Sequence, residues 1–149
     1  MDKVVIKAGE WIVVCDGRKA LILENMGDAT FPNLRRRQVL EHADAPTSAL
    51  GTDRPGRVQQ SVGGGHSAVG QTDWHDQAER TFLEQLAAKL DAAIRHGEIQ
   101  ALGIVAPPRA LGMLRHAVTP AVRAAIRFEL NKDFTRMPID EIERELTGV

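Results

Sequence analysis

A run with almost no hydrophobic pattern separates two well-patterned parts of the chain, and it limits the folds that the chain can adopt. Residues 51–72 contain many glycines, two arginines and no apolar residue larger than valine. Such a composition cannot build a packed core, so we predict an exposed loop over residues 43–72. Long loops inside a domain are usually functional or disordered. If the protein binds a partner specifically, this loop is the first candidate for the contact.

The residues before this loop have the pattern of short strands. Residues 11–15 form an apolar run rich in β-branched side chains, which is typical of a buried central strand. The pair Asp16-Gly17 then predicts a tight turn, and residues 20–23 return as a second strand. A third strand is predicted over residues 34–42. Its three arginines, residues 35–37, suit an edge strand, because charges there oppose pairing with other chains.

The residues after the loop have helical spacing. Apolar side chains recur every three or four positions over residues 82–94, which predicts one core-facing stripe of a long helix. We expect Asp73 to cap the N-terminus of this helix, because a short acidic side chain can accept hydrogen bonds from its first amides. Gly97 is expected to end it. A short apolar strand follows at residues 102–106.

Prolines mark the starts of the later helices. Pro107-Pro108 and Thr119-Pro120 each predict a helix start, since proline fits the first helical position. Residues 125–130 alternate like a strand but also fit the continuation of a helix, and Pro138 opens the last helix. We therefore predict one α/β domain over residues 1–149. Its order is three antiparallel strands, then helix, strand, helix, strand and helix, with the helices packed on a mixed sheet.

Composition narrows the function classes and the compartment. The chain has 149 residues and a formal net charge of −1, so its overall charge does not favour nucleic acid as a partner. Its only cysteine, Cys15, cannot form an internal disulfide, which fits a reducing compartment. We predict that Cys15 is a strand residue and not a nucleophile. The N-terminal residues have no long apolar run and no signal-peptide cleavage site, so we expect a cytoplasmic protein without membrane contact. We also expect no cofactor.

Five residues of the loop are candidates for contact with RNA or another anion. Arg54 and Arg57 can each donate paired hydrogen bonds to a phosphate, although charges that only keep a loop soluble explain them as well. Gly64 and Gly65 belong to a run of three glycines, whose amides can hold phosphate oxygens; a flexible loop tip is the simpler interpretation. His66 has a pKa suited to proton transfer and is the only catalytic candidate.

Two further groups of residues have both a functional and a structural interpretation. Arg109 begins a helix directly after a strand, at the edge where α/β sheets usually bind ligands. It is a candidate anion-binding residue, and a salt bridge to a neighbouring carboxylate is the alternative. His66, Asp73, His75 and Asp76 combine the residue types of a metal site or an acid–base pair. Their spacing matches no ligand motif, and we predict no metal site.

Several segments of the chain resemble the bacterial host-attachment protein family, and the resemblance runs over nearly the whole chain. The segments that carry it are Asp53-Arg-Pro-Gly-Arg57, Val105-Ala-Pro-Pro-Arg-Ala-Leu-Gly-Met-Leu114, Thr119-Pro-Ala-Val122 and Asn131-Lys-Asp-Phe-Thr135. The family is related to the middle domain of archaeal and eukaryotic class I peptide-release factors. This relation implies an RNase H-like fold, with the glycine-rich loop directly before the first long helix.

The relation to release factors also implies a role for the loop. In release factors a Gly-Gly-Gln tip on the comparable loop enters the peptidyl-transferase centre. Gly64 and Gly65 are similar to that tip, but His66 stands where glutamine would be, so we do not expect peptidyl-tRNA hydrolysis. The resemblance implies a non-enzymatic module that docks on the ribosome or on structured RNA. Two alternatives remain open: a protein that supports attachment to host cells indirectly through a protein partner, and a hydrolase acting on an RNA or peptidyl-RNA ester with His66 as general base.

Overall fold

The structure is a computed structural model that describes residues 3–42 and 67–148, with side chains in the second range from residue 75 onward. These residues form five strands and four helices. In chain order the elements are β1 (Trp11–Cys15), β2 (Lys19–Asn25), β3 (Leu34–Glu41), α1 (Ser67–Arg95), β4 (Leu102–Val105), α2 (Pro108–Ala117), α3 (Pro120–Ala125), β5 (Ile126–Leu130) and α4 (Ile139–Thr147).

The strands form one mixed sheet whose spatial order differs from the order along the chain. The sheet runs β3-β2-β1-β4-β5. The β1–β2 and β2–β3 pairs are antiparallel, since short turns join them. The β1–β4 and β4–β5 pairs are parallel, and helices make the connection between β4 and β5. The prediction of a single mixed α/β domain is confirmed.

The segment between β4 and β5 contains two helices, which begin where Pro107-Pro108 and Thr119-Pro120 predict helix starts, whereas the predicted order of elements counts only one helix there. Helix α2 ends at Ala117, and α3 begins at Pro120. Thr119 caps α3, because its side chain accepts a hydrogen bond of 3.2 Å from the backbone amide of Val122. The ambiguity over residues 125–130 resolves as a strand, and the parallel pairing of β5 with β4 outweighs continuation of the helix.

Helix α1 begins at Ser67, so the prediction that Asp73 caps its N-terminus is wrong, and residues 67–72 belong to the helix and not to the loop. Residues 67–73 contain no proline, and the helix extends on the N-terminal side of Asp73 as far as Ser67. The predicted end is confirmed. Gly97 has the left-handed φ of +75°, and its amide donates to the carbonyl of Ile94 at 3.1 Å. The remainder of the predicted loop, residues 43–66, lies outside the described residues.

Two hydrophobic layers enclose the sheet. Every residue of β1 is buried, as predicted for a central strand. Helices α1, α2 and α3 pack on one face, and the predicted stripe of α1 supplies much of that layer. Its buried members are Phe82, Leu83, Leu86 and Leu90, with Ile94 partly buried. Helix α4, the segment between β5 and α4, and the N-terminal segment cover the other face, chiefly through Ile6, Phe134, Ile142 and Leu146.

Strand β3 is a sheet edge, as its arginines predict. Within the part of the chain that the structure describes it pairs only with β2, and its residues 35–38 are exposed. Among residues 3–42 and 67–148, no helix is both long enough and apolar enough to span a bilayer.

Candidate functional site

The parallel strands bring several polar side chains to one edge of the sheet. Strands β1, β4 and β5 run in the same direction, so their carboxyl ends meet at one edge, which is the usual ligand edge of α/β sheets. Helix α1 adds two carboxylates there. We call this group the carboxyl edge; it consists of Asp16, Gly17, Asp76, Glu79, Arg109, Asp133 and Thr135.

Asp16 holds the turn that follows β1. Its Oδ1 accepts hydrogen bonds from the backbone amides of Arg18 at 2.7 Å and Lys19 at 2.8 Å. The backbone amide of Asp16 in turn donates to the carbonyl of Lys19 at 3.0 Å. A short acidic side chain that accepts from amides two and three positions ahead is the usual means of fixing a tight turn. The principal role of Asp16 in the structure is therefore to form the β1–β2 turn.

Thr135 connects the ends of β1 and β5. Its Oγ1 donates a hydrogen bond of 2.6 Å to Oδ1 of Asp133 and lies 3.5 Å from Oδ2 of Asp16. The backbone amide of Thr135 also donates to Asp133 Oδ1 at 3.0 Å. Thr135 is buried, and both carboxylates lie against its hydroxyl. The contact places two negative charges together at the end of the central strand.

Cys15 lies directly beneath these carboxylates. The pKa of its thiol is raised to about 12, first by burial and then by the negative charges of Asp16 and Asp133. The reactive form of cysteine is the thiolate, which this environment suppresses. The prediction that Cys15 is a strand residue is confirmed, and the raised pKa agrees with the prediction that it is not a nucleophile.

Arg109 joins α2 to α1 across the carboxyl edge. Its Nη2 pairs with Asp76, and its Nε lies 3.2 Å from Oε1 of Glu79. Asp76 and Glu79 are three residues apart on a helix and hence on the same face. The salt bridge that the sequence left as the alternative for Arg109 is therefore present. Because the pairs are partly exposed, each stabilises the fold by no more than about 1 kcal/mol.

Gly17 allows the β1–β2 turn to approach α1. A Cβ atom at this position would lie 2.8 Å from Cγ and Cδ of Glu79. A larger residue would displace the Glu79 carboxylate from Arg109. The β1–β2 turn and α2 thus both contact α1 at Glu79.

The remaining sequence-predicted site residues are Arg54, Arg57, Gly64, Gly65 and His66, and all of them lie outside the described residues. The structure does describe both attachment points of their segment. At one end, the backbone amide of His42 donates to the carbonyl of Arg18 at 2.7 Å, which fixes the end of β3 beside the β1–β2 turn. At the other end, α1 passes Arg109 at Glu79 and begins at Ser67, about 18 Å farther along its axis at 1.5 Å per residue.

His42 lies next to the carboxyl edge, at the end of β3, and no sequence pattern singled it out. Its ring makes an edge-on contact with Phe82 at 6.1 Å between centroids. Its Nδ1 is buried and has no hydrogen-bond partner within the part of the chain that the structure describes. The position of His42 at the end of a predicted strand offered no signal for this contact, because Phe82 lies on a distant helix.

The predicted absence of a metal site concerns residues that the structure describes only in part. His66 and the side chain of Asp73 lie outside the described atoms, and His75 is exposed on α1. Asp76 is paired with Arg109. Among the described residues, no group of three or more His, Cys, Asp or Glu side chains is arranged to hold a metal ion.

Comparison with known protein families gives a match over most of the chain. The model of a family described as "Protein required for attachment to host cells" matches residues 11–146, which run from β1 to α4 and contain the whole sheet and the carboxyl edge. No curated protein matches the chain.

Proposed function

The chain belongs to the family of proteins required for attachment to host cells, and from that membership we propose a molecular role. The protein acts on attachment indirectly, from the cytoplasm, as a non-enzymatic module that docks on structured RNA or the ribosome. The contact is made by the segment that contains Arg54, Arg57, Gly64, Gly65 and His66.

The observation that carries this proposal is the pair of attachment points of residues 43–66. One attachment is the hydrogen bond between His42 and Arg18 at the β1–β2 turn, and the other is the N-terminal part of α1. The first lies beside the carboxyl edge, where α/β folds usually bind ligands, and the second lies about 18 Å from Glu79 along the axis of α1. We propose that the arginines and glycines of the segment that follows the first attachment point bind a partner that approaches this edge.

Within this proposal, Arg54 and Arg57 bind phosphates, and Arg109 holds α2 and α1 together at the carboxyl edge. The charge of Arg109 is already balanced by Asp76 and Glu79, and a phosphate would have to displace one of these carboxylates. Guanidinium groups at Arg54 and Arg57 suit paired hydrogen bonds to phosphate oxygens. The amides of Gly64 and Gly65 add a second, uncharged means of holding an anion.

A relation to release factors and an RNase H-like fold form part of the proposal. Its support is a mixed sheet of three antiparallel strands followed by two parallel strands, with helices on both faces. His66 stands immediately before the first residue of α1, the long helix. A histidine in place of the glutamine of the release-factor tip agrees with docking and not with peptide release.

Sedimentation with ribosomes across a series of salt concentrations tests the docking. We expect the double variant Arg54→Ala, Arg57→Ala to bind less tightly and to lower the slope of log affinity against log salt by about one and a half units, because each phosphate contact contributes about 0.7 to 0.9. The control is Lys89→Ala with Arg144→Ala, which removes the same charge from exposed positions on α1 and α4. Its slope should equal that of the wild type.

Two outcomes would refute the proposal. Either the wild type does not sediment with ribosomes or their subunits at low salt, or the two double variants change the slope equally. A bacterial strain that produces only Arg54→Ala, Arg57→Ala should also attach less to host cells. Normal attachment by that strain, with ribosome binding lost, would separate the RNA contact from the attachment role.

A further inference from the structure

Strand β3 has an edge that no described residue pairs with, and this edge carries concentrated positive charge. Among residues 3–42 and 67–148 the strand pairs with β2 on one side only, and it contains Arg35, Arg36 and Arg37 together with a single acidic residue, Glu41. The free edge of a strand presents amide and carbonyl groups that can pair with another chain. The charge of the strand determines which chain is accepted.

The three arginines are not equivalent. Arg37 is held within the protein: its Nη1 lies 2.8 Å from Glu24 and its Nη2 lies 3.5 Å from Glu98, and its guanidinium stacks 4.9 Å from the centre of the Trp11 ring. Arg35 and Arg36 are exposed and form no ion pair with any residue in the described ranges. These two arginines are therefore available to an external anion.

Register places the two available arginines on opposite faces of the sheet. Arg35 is opposite Glu24 and Arg36 is opposite Leu23 in the antiparallel ladder. Side chains directly opposite each other point to the same face, and neighbours along a strand alternate. An incoming strand thus meets one arginine on each face, and neighbouring carboxylates of that strand match both.

A carboxylate already occupies one position on this edge. The backbone amide of Leu34 donates to Oε1 of Glu143, on α4, at 2.7 Å. A cleft of about 520 Å³ lies beside this contact and is lined by both Arg35 and Arg36. The acidic residues of the cleft have partners of their own: Glu143 accepts from Leu34, and Asp140 lies 3.9 Å from Arg144.

The charges exclude two possible occupants. A second copy of the chain would place two Arg35–Arg37 triplets in one short ladder, within a Debye length of each other, and like charges across a ladder are destabilising. The chain's own residues 43–66 contain two aspartates and two arginines and so have no net acidic charge. An acidic segment of another protein, by contrast, is complementary in charge to this edge.

We propose that β3 accepts an extended acidic segment of a partner protein as a sixth strand, with carboxylates of that segment paired to Arg35 and Arg36. Main-chain hydrogen bonds to the edge supply affinity, and the two arginines select for acidic side chains. This inference is independent of the RNA contact, because it uses a different edge of the sheet and different arginines.

Fluorescence anisotropy with synthetic peptides tests the proposal. The probe is a labelled peptide of about nine residues, a common strand length, built from the repeat Glu-Glu-Val. We expect Arg35→Ala with Arg36→Ala to weaken its binding about fivefold or more. Lys89→Ala with Lys132→Ala, which removes equal charge from exposed sites on α1 and after β5, should bind as the wild type does.

A second peptide separates strand addition from simple charge attraction. The repeat Glu-Glu-Pro has the same charge, but every third residue is a proline, which has no amide N–H to donate and is tolerated poorly within a ladder. We expect only the valine peptide to bind and to slow amide hydrogen exchange over residues 34–41. Equal binding of the two peptides, no binding of either, or equal loss in both double variants would each overturn the proposal.

Discussion

Gly103, in the middle of β4, makes room for the ring of Phe128. The glycine is opposite Ile12 on one side and Phe128 on the other. A Cβ atom at residue 103 would lie 2.2 Å from Cε2 and Cζ of Phe128. Carbon atoms in favourable contact are about 3.5 to 4.0 Å apart, so the ring would have to move by more than an ångström.

We expect Gly103→Ala to lower the free energy of unfolding by about 1 to 2 kcal/mol. Overpacking a core usually costs about 1 to 3 kcal/mol. Alanine recovers about 0.5 to 1 kcal/mol of that, because it loses less backbone freedom on folding than glycine does. The half-buried Phe128 ring can shift toward solvent, which keeps the expected net cost at the lower end.

Chemical denaturation followed by far-ultraviolet circular dichroism measures this cost, and a double-mutant cycle tests its cause. In a Phe128→Ala background the obstacle is gone, so Gly103→Ala should be neutral or stabilising, with a coupling energy of about 1 to 3 kcal/mol. Gly112→Ala is the matched control, because nothing lies within 4 Å of a Cβ there and the helix should gain up to about 1 kcal/mol. An equal cost of Gly103→Ala in both backgrounds would refute the reasoning.

Two further predictions concern buried polar groups. Asn25→Ala removes the side-chain amide that donates to the carbonyls of Ile6 and Asp28 and the oxygen that accepts from the amides of Gly27 and Asn33. Chemical denaturation should show that the free energy of unfolding falls by about 2 to 4 kcal/mol. A fall of less than about 1 kcal/mol would contradict this prediction. Folding raises the pKa of Cys15 from 9.0 to about 12, so its contribution to stability is complete below pH 9 and declines as the pH rises toward 12. Cys15→Ala should therefore lose less stability than the wild type between pH 9 and 12; parallel losses would exclude this assignment.

The spacing of apolar and charged residues along the chain explains why some parts of the fold could be predicted from the sequence. The continuous apolar run of β1, the charged edge strand β3 and the stripe from Phe82 to Ile94 each have a pattern that only one type of element buries well. The left-handed glycine at the end of α1 was equally predictable, because few other residues adopt that conformation at low cost.

The start of α1 and the contacts of the carboxyl edge were beyond the sequence patterns. Asp73 is a good capping residue, but capping is worth only about 1 kcal/mol and does not prevent a helix from extending further. The approach of Thr135 to Asp16 depends on the parallel pairing of distant strands. The contact of Arg109 with α1 was foreseen as a salt bridge, without its partners. The loop residues of the candidate site remain predictions.

The position of β1 in the sheet has a consequence for the order of folding. One neighbour of this strand, β2, follows it after a tight turn, whereas the other, β4, begins only at Leu102. The hairpin can form as soon as residues 11–25 are synthesised, but one edge of β1 stays unpaired until β4 arrives. During translation that apolar edge is open to pairing with other chains. Docking of the α1 stripe onto the hairpin would shield the apolar face next to that edge. Variants that weaken the stripe should therefore aggregate during synthesis even when the folded protein shows no defect.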